Sequence, residues 1–425
     1  MQGRRVRSLA SIAAGLVVLA HGLPAQAAAG QLDRSFSNDG RATAFPKGAT
    51  GFGVAIDGKG RILVAGYTLD DDTDFALARF RLDGTLDRNF GGGDGRVTTD
   101  LGGTDYGFDV AIGSNGRIVV AGQRVRPSGS LMAVAVYGPR GVLDSDFSED
   151  GITFVDFGKE LQGANAVAVG ANDKIVIGGS TSNGETSRWA LARLRPKGPR
   201  DRDFGGDGRV TVDLTASDEQ INDLAIAAGG KVVAVGSAES GLSPRIAIAR
   251  FLIGGTLDRE FGKRGVKITD VANGSDTAYG LAEQPDEKLV VVGHAANGGK
   301  ADWGVLRYGQ NGRLDDTFHG DGVRILAFGS DYEFAQSVAV QPNGRIVVVG
   351  RIRRSGKDHF GIVRLKSNGS YDQGFSKDGR VIVDFAGGSD TARDVALQDN
   401  GRIVVAGEAF DRGRRRFAVT RLLGS

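Results

Sequence analysis

Residues 371–425 read YDQGFSKDGRVIVDF, a Gly/Ser/Asp turn, ARDVALQDNGRIVVAG, a polar loop and RFAVTRL. Its centre is a tight Gly-Arg turn that feeds an apolar run, Gly401 to Gly407, as a hairpin does when a turn residue that tolerates positive φ sits between two strands. The same pattern repeats back to Leu32. Leu-Asp-x-x-Phe elements begin at residues 32, 86, 143, 200, 257, 314 and 371, spaced 54 and then 57 five times. The Asp recurs as Asp33, Asp87, Asp144, Asp201, Asp258, Asp315 and Asp372, and the Phe as Phe36, Phe90, Phe147, Phe204, Phe261, Phe318 and Phe375. Repetition of this regularity is read before any isolated motif.

Each unit holds four short runs rich in Val, Ile, Ala and Phe, bounded by Gly, Asn, Asp and Ser. In the unit from Leu86 they are Arg96–Leu101, Phe108–Ile112, Arg117–Ala121 and Leu131–Tyr137. Four strands per unit, seven units and no helical period predict an all-β fold, a seven-bladed β-propeller with four-stranded blades. A β-solenoid is the alternative, although its coils are usually much shorter.

The strand order DVA, turn, RIVVAG, loop, FALAR, long turn, RVTVDL resembles the blade order of NHL-type propellers. That resemblance makes the strand before the tight turn the channel-lining one. It leaves the seventh blade without an outer strand, which Arg41–Phe45 would supply in a Velcro closure that protects otherwise open sheet edges. LDRNFGGGDGRV, RDRDFGGDGRV and PNGRIVVVG also resemble the signatures of the delta-60 repeat family, over residues 32–425. That resemblance implies a β-propeller and export, and carries over no catalytic residue.

The first 27 residues read as a signal peptide: Arg4, Arg5 and Arg7, an apolar run from Leu9 to about Leu23, and Ala25-Gln26-Ala27 for cleavage. The run falls short of the roughly 20 residues that span a bilayer, and no later segment qualifies. Residues 28–425 are then a single propeller, secreted, periplasmic or at the cell surface. Removing three Arg takes Lys+Arg from 53 to 50 against 51 Asp+Glu, so the charge passes from +2 to −1. The basic balance therefore belongs to the leader and argues against a nucleic-acid partner. With no Cys, thiol chemistry and Cys-ligated zinc are excluded. His294, His319 and His359 lack metal-ligand spacing. No nucleophile elbow or phosphate loop is present.

The recurring Phe reads as a wedge between blades, each ring worth roughly 1.5–3 kcal/mol when buried. A recurring Arg near the end of the third strand pairs in this reading with the Asp eight residues on, as a structural clamp: Arg79 with Asp87, Arg193 with Asp201, Arg250 with Asp258, Arg307 with Asp315, and Arg364 with Asp372. Val136 replaces the Arg once, leaving Asp144 without one in its own unit. An Asp also precedes the recurring Gly in six units, as at Asp207 and Asp378. Calcium is one reading of it, but the calcium-loop spacing is absent and a turn-forming Asp-Gly suffices. No other cofactor or metal is expected.

Recognition is expected on the face carrying the segments after IVVAG, which differ from unit to unit. That face also carries Asp105, Tyr106, Asp276, Tyr279, Asp331, Tyr332 and Asp390 at the start of the inner strands. Two of the variable segments are basic, with Arg351, Arg353 and Arg354 in one and Arg412, Arg414 and Arg415 in the other, predicted to face Asp70, Asp71 and Asp72 across the closure seam. The reading that follows is a monomeric binding module for envelope or extracellular glycans or proteins. The alternative is a propeller enzyme of lyase, lactonase or glycosidase type, using acids at the channel mouth.

Overall fold

A computed structural model describes residues 28–69, 72–241, 243–297, 299–329, 332–385 and 387–424. The leader, Asp70, Asp71 and Asp331 fall outside these. Seven four-stranded antiparallel sheets stand in a ring. Blade 1 runs outward through Ala49–Ile56, Ile62–Thr68, Phe75–Phe80 and Arg96–Thr99. Blades 2 to 6 repeat it, with inner strands Thr104–Ile112, Leu161–Val169, Glu219–Ile226, Asp276–Glu283 and Phe334–Val340. Blade 7 consists of Asp390–Leu397, Ile403–Asp411 and Arg414–Leu422, with Arg41–Ala44 outermost. Arg41 lies opposite Thr420 and Ala44 opposite Phe417, so this sheet contains strands from both ends of the described chain. First strands of successive blades pack against one another all round, which makes them the channel wall.

The apolar core is divided among the seven gaps between blades, and each gap takes one of the seven recurring Phe rings. All seven rings are fully buried, which is the wedge role expected of a residue present in every unit.

The pairing of Arg with Asp eight residues on is present in all five expected cases. Arg79 donates to Asp87 at 3.0 Å, Arg193 to Asp201 at 2.7 Å, and Arg250, Arg307 and Arg364 to Asp258, Asp315 and Asp372 at 2.8 Å. Arg421 completes the series by donating to Asp33 at 2.9 Å. Each of these guanidiniums also lies over the unit's Phe ring and donates to a main-chain carbonyl of the next blade, as Arg250 does to Gln310 at 2.6 Å and Arg421 to Leu82 at 2.7 Å. A buried guanidinium thus has its charge and its fork of donors satisfied across a blade boundary.

A further cation, not expected from the spacing, sits on every one of the seven recurring carboxylates. Arg61, Arg117, Lys174, Lys231, Lys288, Arg345 and Arg402, which follow the tight turn, pair with Asp87, Asp144, Asp201, Asp258, Asp315, Asp372 and Asp33. Asp144 is therefore not orphaned. Arg117 lies 2.8 Å from it and also donates to the Pro196 carbonyl at 3.0 Å, one 57-residue repeat beyond Pro139, the carbonyl reached by Arg79. One side chain supplies both contacts that Val136 cannot make.

The Asp that precedes the recurring Gly accepts the N–H two residues on in all six units: at Arg41, Arg96, Ile152, Arg209, Val323 and Arg380. This local turn bond accounts for the residue without a metal.

Two expectations about local structure need correction. The segments after IVVAG were read as loops, but most of their length is strand. Ile346–Arg354 and Lys357–Leu365 stay paired out to Arg354 opposite Lys357, and Ile403–Asp411 and Arg414–Leu422 out to Asp411 opposite Arg414. The turns between them are only Ser355-Gly356 and Arg412-Gly413, both residues at positive φ, the conformation that matches strand twist in two-residue hairpins. Arg351, Arg353, Arg354, Arg414 and Arg415 therefore project from strands, and only Arg412 from a turn. The second correction concerns Phe108–Ile112, which begins earlier, at Thr104, and carries a bulge between Gly107 and Asp109. Every inner strand is bulged at the equivalent place.

Candidate functional site

The bulges set the chemistry of the channel, because an inserted residue bends the strand and re-aims its neighbours. At the bulge the seven blades carry, in order, Gly53, Asp109, Ala166, Asp223, Gly280, Ser337 and Asp394. Each Asp uses one carboxylate oxygen for the next N–H of its own strand and the other for the equivalent N–H of the following blade. Asp109 accepts from Val110 at 2.7 Å and Val167 at 2.8 Å, Asp223 from Leu224 and Leu281 at 2.7 Å, and Asp394 from Val395 at 2.8 Å and Val54 at 2.7 Å. The blade after each Asp carries Ala or Gly at the bulge. A Cβ on Gly53 would meet the Val110 nitrogen at 2.8 Å, so the wall has no room there. Ser337, in the remaining blade, donates to Asp394 at 2.6 Å.

Burial pushes the Asp109 carboxyl up to about 7, assisted by the Asp394 charge and opposed by its two backbone donors. Burial likewise raises Asp223 and Asp394. The clamp carboxylates go the other way. Burial would raise them too, but hydrogen bonds and nearby cations prevail and hold Asp201 and Asp315 down to about 2. A depressed carboxyl contributes stability above its unfolded value of about 4 and loses it as pH falls toward 2. A raised one contributes stability below about 4 and loses it as pH climbs through 7. The melting temperature is expected to peak near pH 4 and to fall on both sides, toward pH 2 and as pH rises from 4 through 7. Thermal denaturation between pH 2 and 9 checks this, and the absence of any loss between pH 4 and 7 contradicts the channel assignment.

The channel cavity, about 390 Å³, is lined by rings of Phe52, Phe108 and Tyr279, amides of Asn165, Asn222 and Gln336, and Arg393. It meets a second cavity of about 400 Å³ at the mouth, where Tyr279, Gln336 and Arg393 are shared and Phe334, Arg351, Glu408, Phe410 and Arg415 join them. Three guanidiniums share two carboxylates here. Arg393 and Arg415 pair with Glu408 at 3.0 and 3.2 Å, and Arg351 lies 3.6 Å from Asp358. Arg351 stacks 4.5 Å over Phe334, and Arg393 4.9 Å over Phe52. The Nε atoms of both are buried and have no hydrogen-bond partner among the described residues. His294 is wedged between Tyr279 and Phe334, and burial pulls its pKa down to about 4, so it is neutral.

The structure separates the residues singled out from sequence. Arg351, Arg415 and Tyr279 come together at the mouth, joined by Arg393, Glu408 and Phe334. Arg353, Arg354, Arg412 and Arg414 are exposed around the rim. Asp72 is exposed as well, and Arg414 reaches across the seam to the Lys47 carbonyl at 2.5 Å. Asp105, Asp276 and Asp390 are fully buried, each accepting an N–H from the connector before it: Leu101 at 2.6 Å, Val271 at 2.7 Å and Phe385 at 2.8 Å. Tyr106 packs edge-on against Tyr67 at 4.9 Å, and Tyr332 is exposed. The carboxylates that do face the channel, Asp109, Asp223 and Asp394, were missed. Their signal was a charge inside the apolar inner strands FDVA, NDLA and RDVA.

These features define a seven-bladed β-propeller built from sequence repeats, with a polar, ring-lined channel. Six stretches of it, residues 60–90, 170–204, 230–261, 284–318, 341–375 and 398–424, match the family model described as a domain of unknown function (DUF5122) beta-propeller. No curated protein matches the sequence. Among solved structures, a catalytically inactive virginiamycin B lyase from Staphylococcus aureus, bound to quinupristin, is similar at TM-score 0.53 and 11% identity, over 89% of this chain and 98% of that one. A PL25 ulvan lyase bound to -[GlcA(1-4)Rha3S]- is similar at 0.50 and 12%, over 93% and 94%. Drosophila plexin A in complex with semaphorin 1b is similar at 0.45 and 11%, over 92% and 88%. At these identities the likeness to the two lyases is one of fold. Among the described residues no helix is long and apolar enough to cross a membrane.

Proposed function

We propose that this propeller is an exported binding module whose channel mouth takes an anionic glycan. The observation that carries the reading is the cavity holding Arg351, Arg393 and Arg415, in which two buried Nε–H donors have no acceptor among the described residues. An unsatisfied buried donor is costly, and a carboxylate or sulfate supplies the planar or multidentate acceptor that guanidinium favours. The flanking rings of Tyr279, Phe334 and Phe410 offer apolar faces to a sugar, and the amides inside the channel offer hydroxyl partners. Export rests on the leader pattern in residues 1–27. The carboxylates facing the channel are each committed to two backbone amides, which favours binding over acid–base catalysis.

Titration with uronate-containing and sulfated oligosaccharides tests the reading. R351E and R415E are each expected to weaken binding at least tenfold and to flatten its salt dependence, whereas R354E, out on the rim, changes little. Equal affinity for neutral and acidic oligosaccharides, or unchanged binding by both mouth variants, overturns it.

A further inference from the structure

The mouth cavity and the channel cavity are continuous, but their polar walls have opposite sense. The mouth is rich in donors, with Arg351, Arg393 and Arg415. The channel is rich in acceptors. Asn165 and Asn222 take equivalent places on the inner strands of blades 3 and 4, one residue before Ala166 and Asp223. Each donates its amide nitrogen to a main-chain carbonyl of the next blade, Ile221 at 2.7 Å and Ala278 at 2.8 Å. That bond fixes the amide on the channel wall. Its oxygen accepts no hydrogen bond among the described residues and is open to the cavity. Asp109, Asp223 and Asp394 line the same space. Each of their oxygens takes one backbone N–H, and a carboxylate oxygen keeps a second lone pair for a ligand hydroxyl.

A neutral sugar ring suits these walls. Its hydroxyls donate to amide and carboxylate oxygens, and the rings of Phe52, Phe108 and Tyr279 cover its apolar faces. An anion does not suit them. Burial, and after it the charge of Asp394, already raises the Asp109 carboxyl, so a ligand anion brought this deep would meet the same repulsion. Residues from all seven blades line the channel cavity, so a chain enters it by an end and not sideways.

We infer that the channel is a second subsite, which takes a neutral, hydroxyl-bearing sugar at the end of a glycan while the arginines of the mouth hold the acidic sugar next to it. The subsite presupposes the anionic-glycan reading of the mouth and adds an order to it, neutral residue inward and acidic residue outward. Tyr279, Gln336 and Arg393, which belong to both cavities, lie where the two sugars join. Chain ends are recognised on this basis, and only ends whose last residue carries no charge.

The test is calorimetric titration of the full chain with four probes: a uronate monosaccharide, a disaccharide of two uronates, a disaccharide of one uronate and one neutral hexose, and a disaccharide of one uronate and one hexosamine with a free amine. The uronate–hexose disaccharide is expected to bind about tenfold or more tighter than the monosaccharide and the diuronate, since several hydroxyl contacts are added. Its salt dependence should match that of the monosaccharide, because those contacts are uncharged. Asn165→Ala and Asn222→Ala should each shrink its advantage over the monosaccharide. If either variant fails to fold, the comparison of probes on wild type decides. Equal or tighter binding of the diuronate, tighter binding of the amine-bearing disaccharide, or an advantage untouched by both folded variants overturns the subsite and leaves the mouth as an anion site. Absence of binding by every acidic probe overturns the anionic-glycan reading and the subsite with it.

Discussion

Asp201→Ala is expected to destabilise the fold by about 3–5 kcal/mol, because it leaves the buried Arg193 guanidinium without its counter-charge. The loss includes more than one ion pair. Arg193 also lies over Phe204 and donates to the Ile253 carbonyl of the next blade, so the freed guanidinium loosens a boundary that the ring needs intact. Arg117 sharpens the test. In the blade that carries Val136 it is, among the described residues, the one cation on Asp144 and also the link to Pro196, whereas Arg61 shares Asp87 with Arg79 and Arg81. Arg117→Ala should therefore cost more than Arg61→Ala, although the two side chains are almost equally exposed, at 20% and 21%. Urea denaturation of the three variants measures this. Equal costs for the two arginines would falsify the compensation.

Gly122→Ala is expected to be at least as damaging, about 3 kcal/mol or more, at the upper end of what overpacking costs. A Cβ at this position would overlap the Tyr106 carbonyl oxygen, which the bulged inner strand presents to it. Gly66, Gly179, Gly236, Gly293, Gly350 and Gly407 face the same obstruction from their own inner strands. Gly304→Ala is the comparison, since a Cβ there has only ordinary contacts beginning at 3.7 Å. Soluble yield and melting temperature should collapse for the first and hold for the second.

What could be read from the chain follows from how often each residue recurs. The Asp and Phe of Leu-Asp-x-x-Phe appear in every unit, so their role was open to inference from spacing alone. The basic residue after the tight turn recurs as often, but its partner is 26 or 27 residues away in sequence in six units and, for Arg402, is Asp33 near the other end of the described chain, and nothing local points to it. Arg393 and Glu408 complete the mouth from a single blade, as do Arg351 from another and the channel aspartates from three. Repetition hides such residues, since averaging over units treats them as variation. Asp105 and Asp390 were expected at the channel mouth, at the start of the inner strands; here the strand begins earlier than expected and turns them inward onto the preceding connector.

The bulge residues around the channel alternate an acid with a small neighbour, and a ring of seven cannot alternate without a fault. Three Asp–small couples occupy six blades, and Ser337 stands at the odd place, neither acidic nor small enough to repeat the couple, tied to Asp394 by its hydroxyl. The parity of the blade number is thus written into the wall. Growth or shrinkage of this propeller by one whole unit would move the fault or create another, whereas exchange of units in twos would preserve the order.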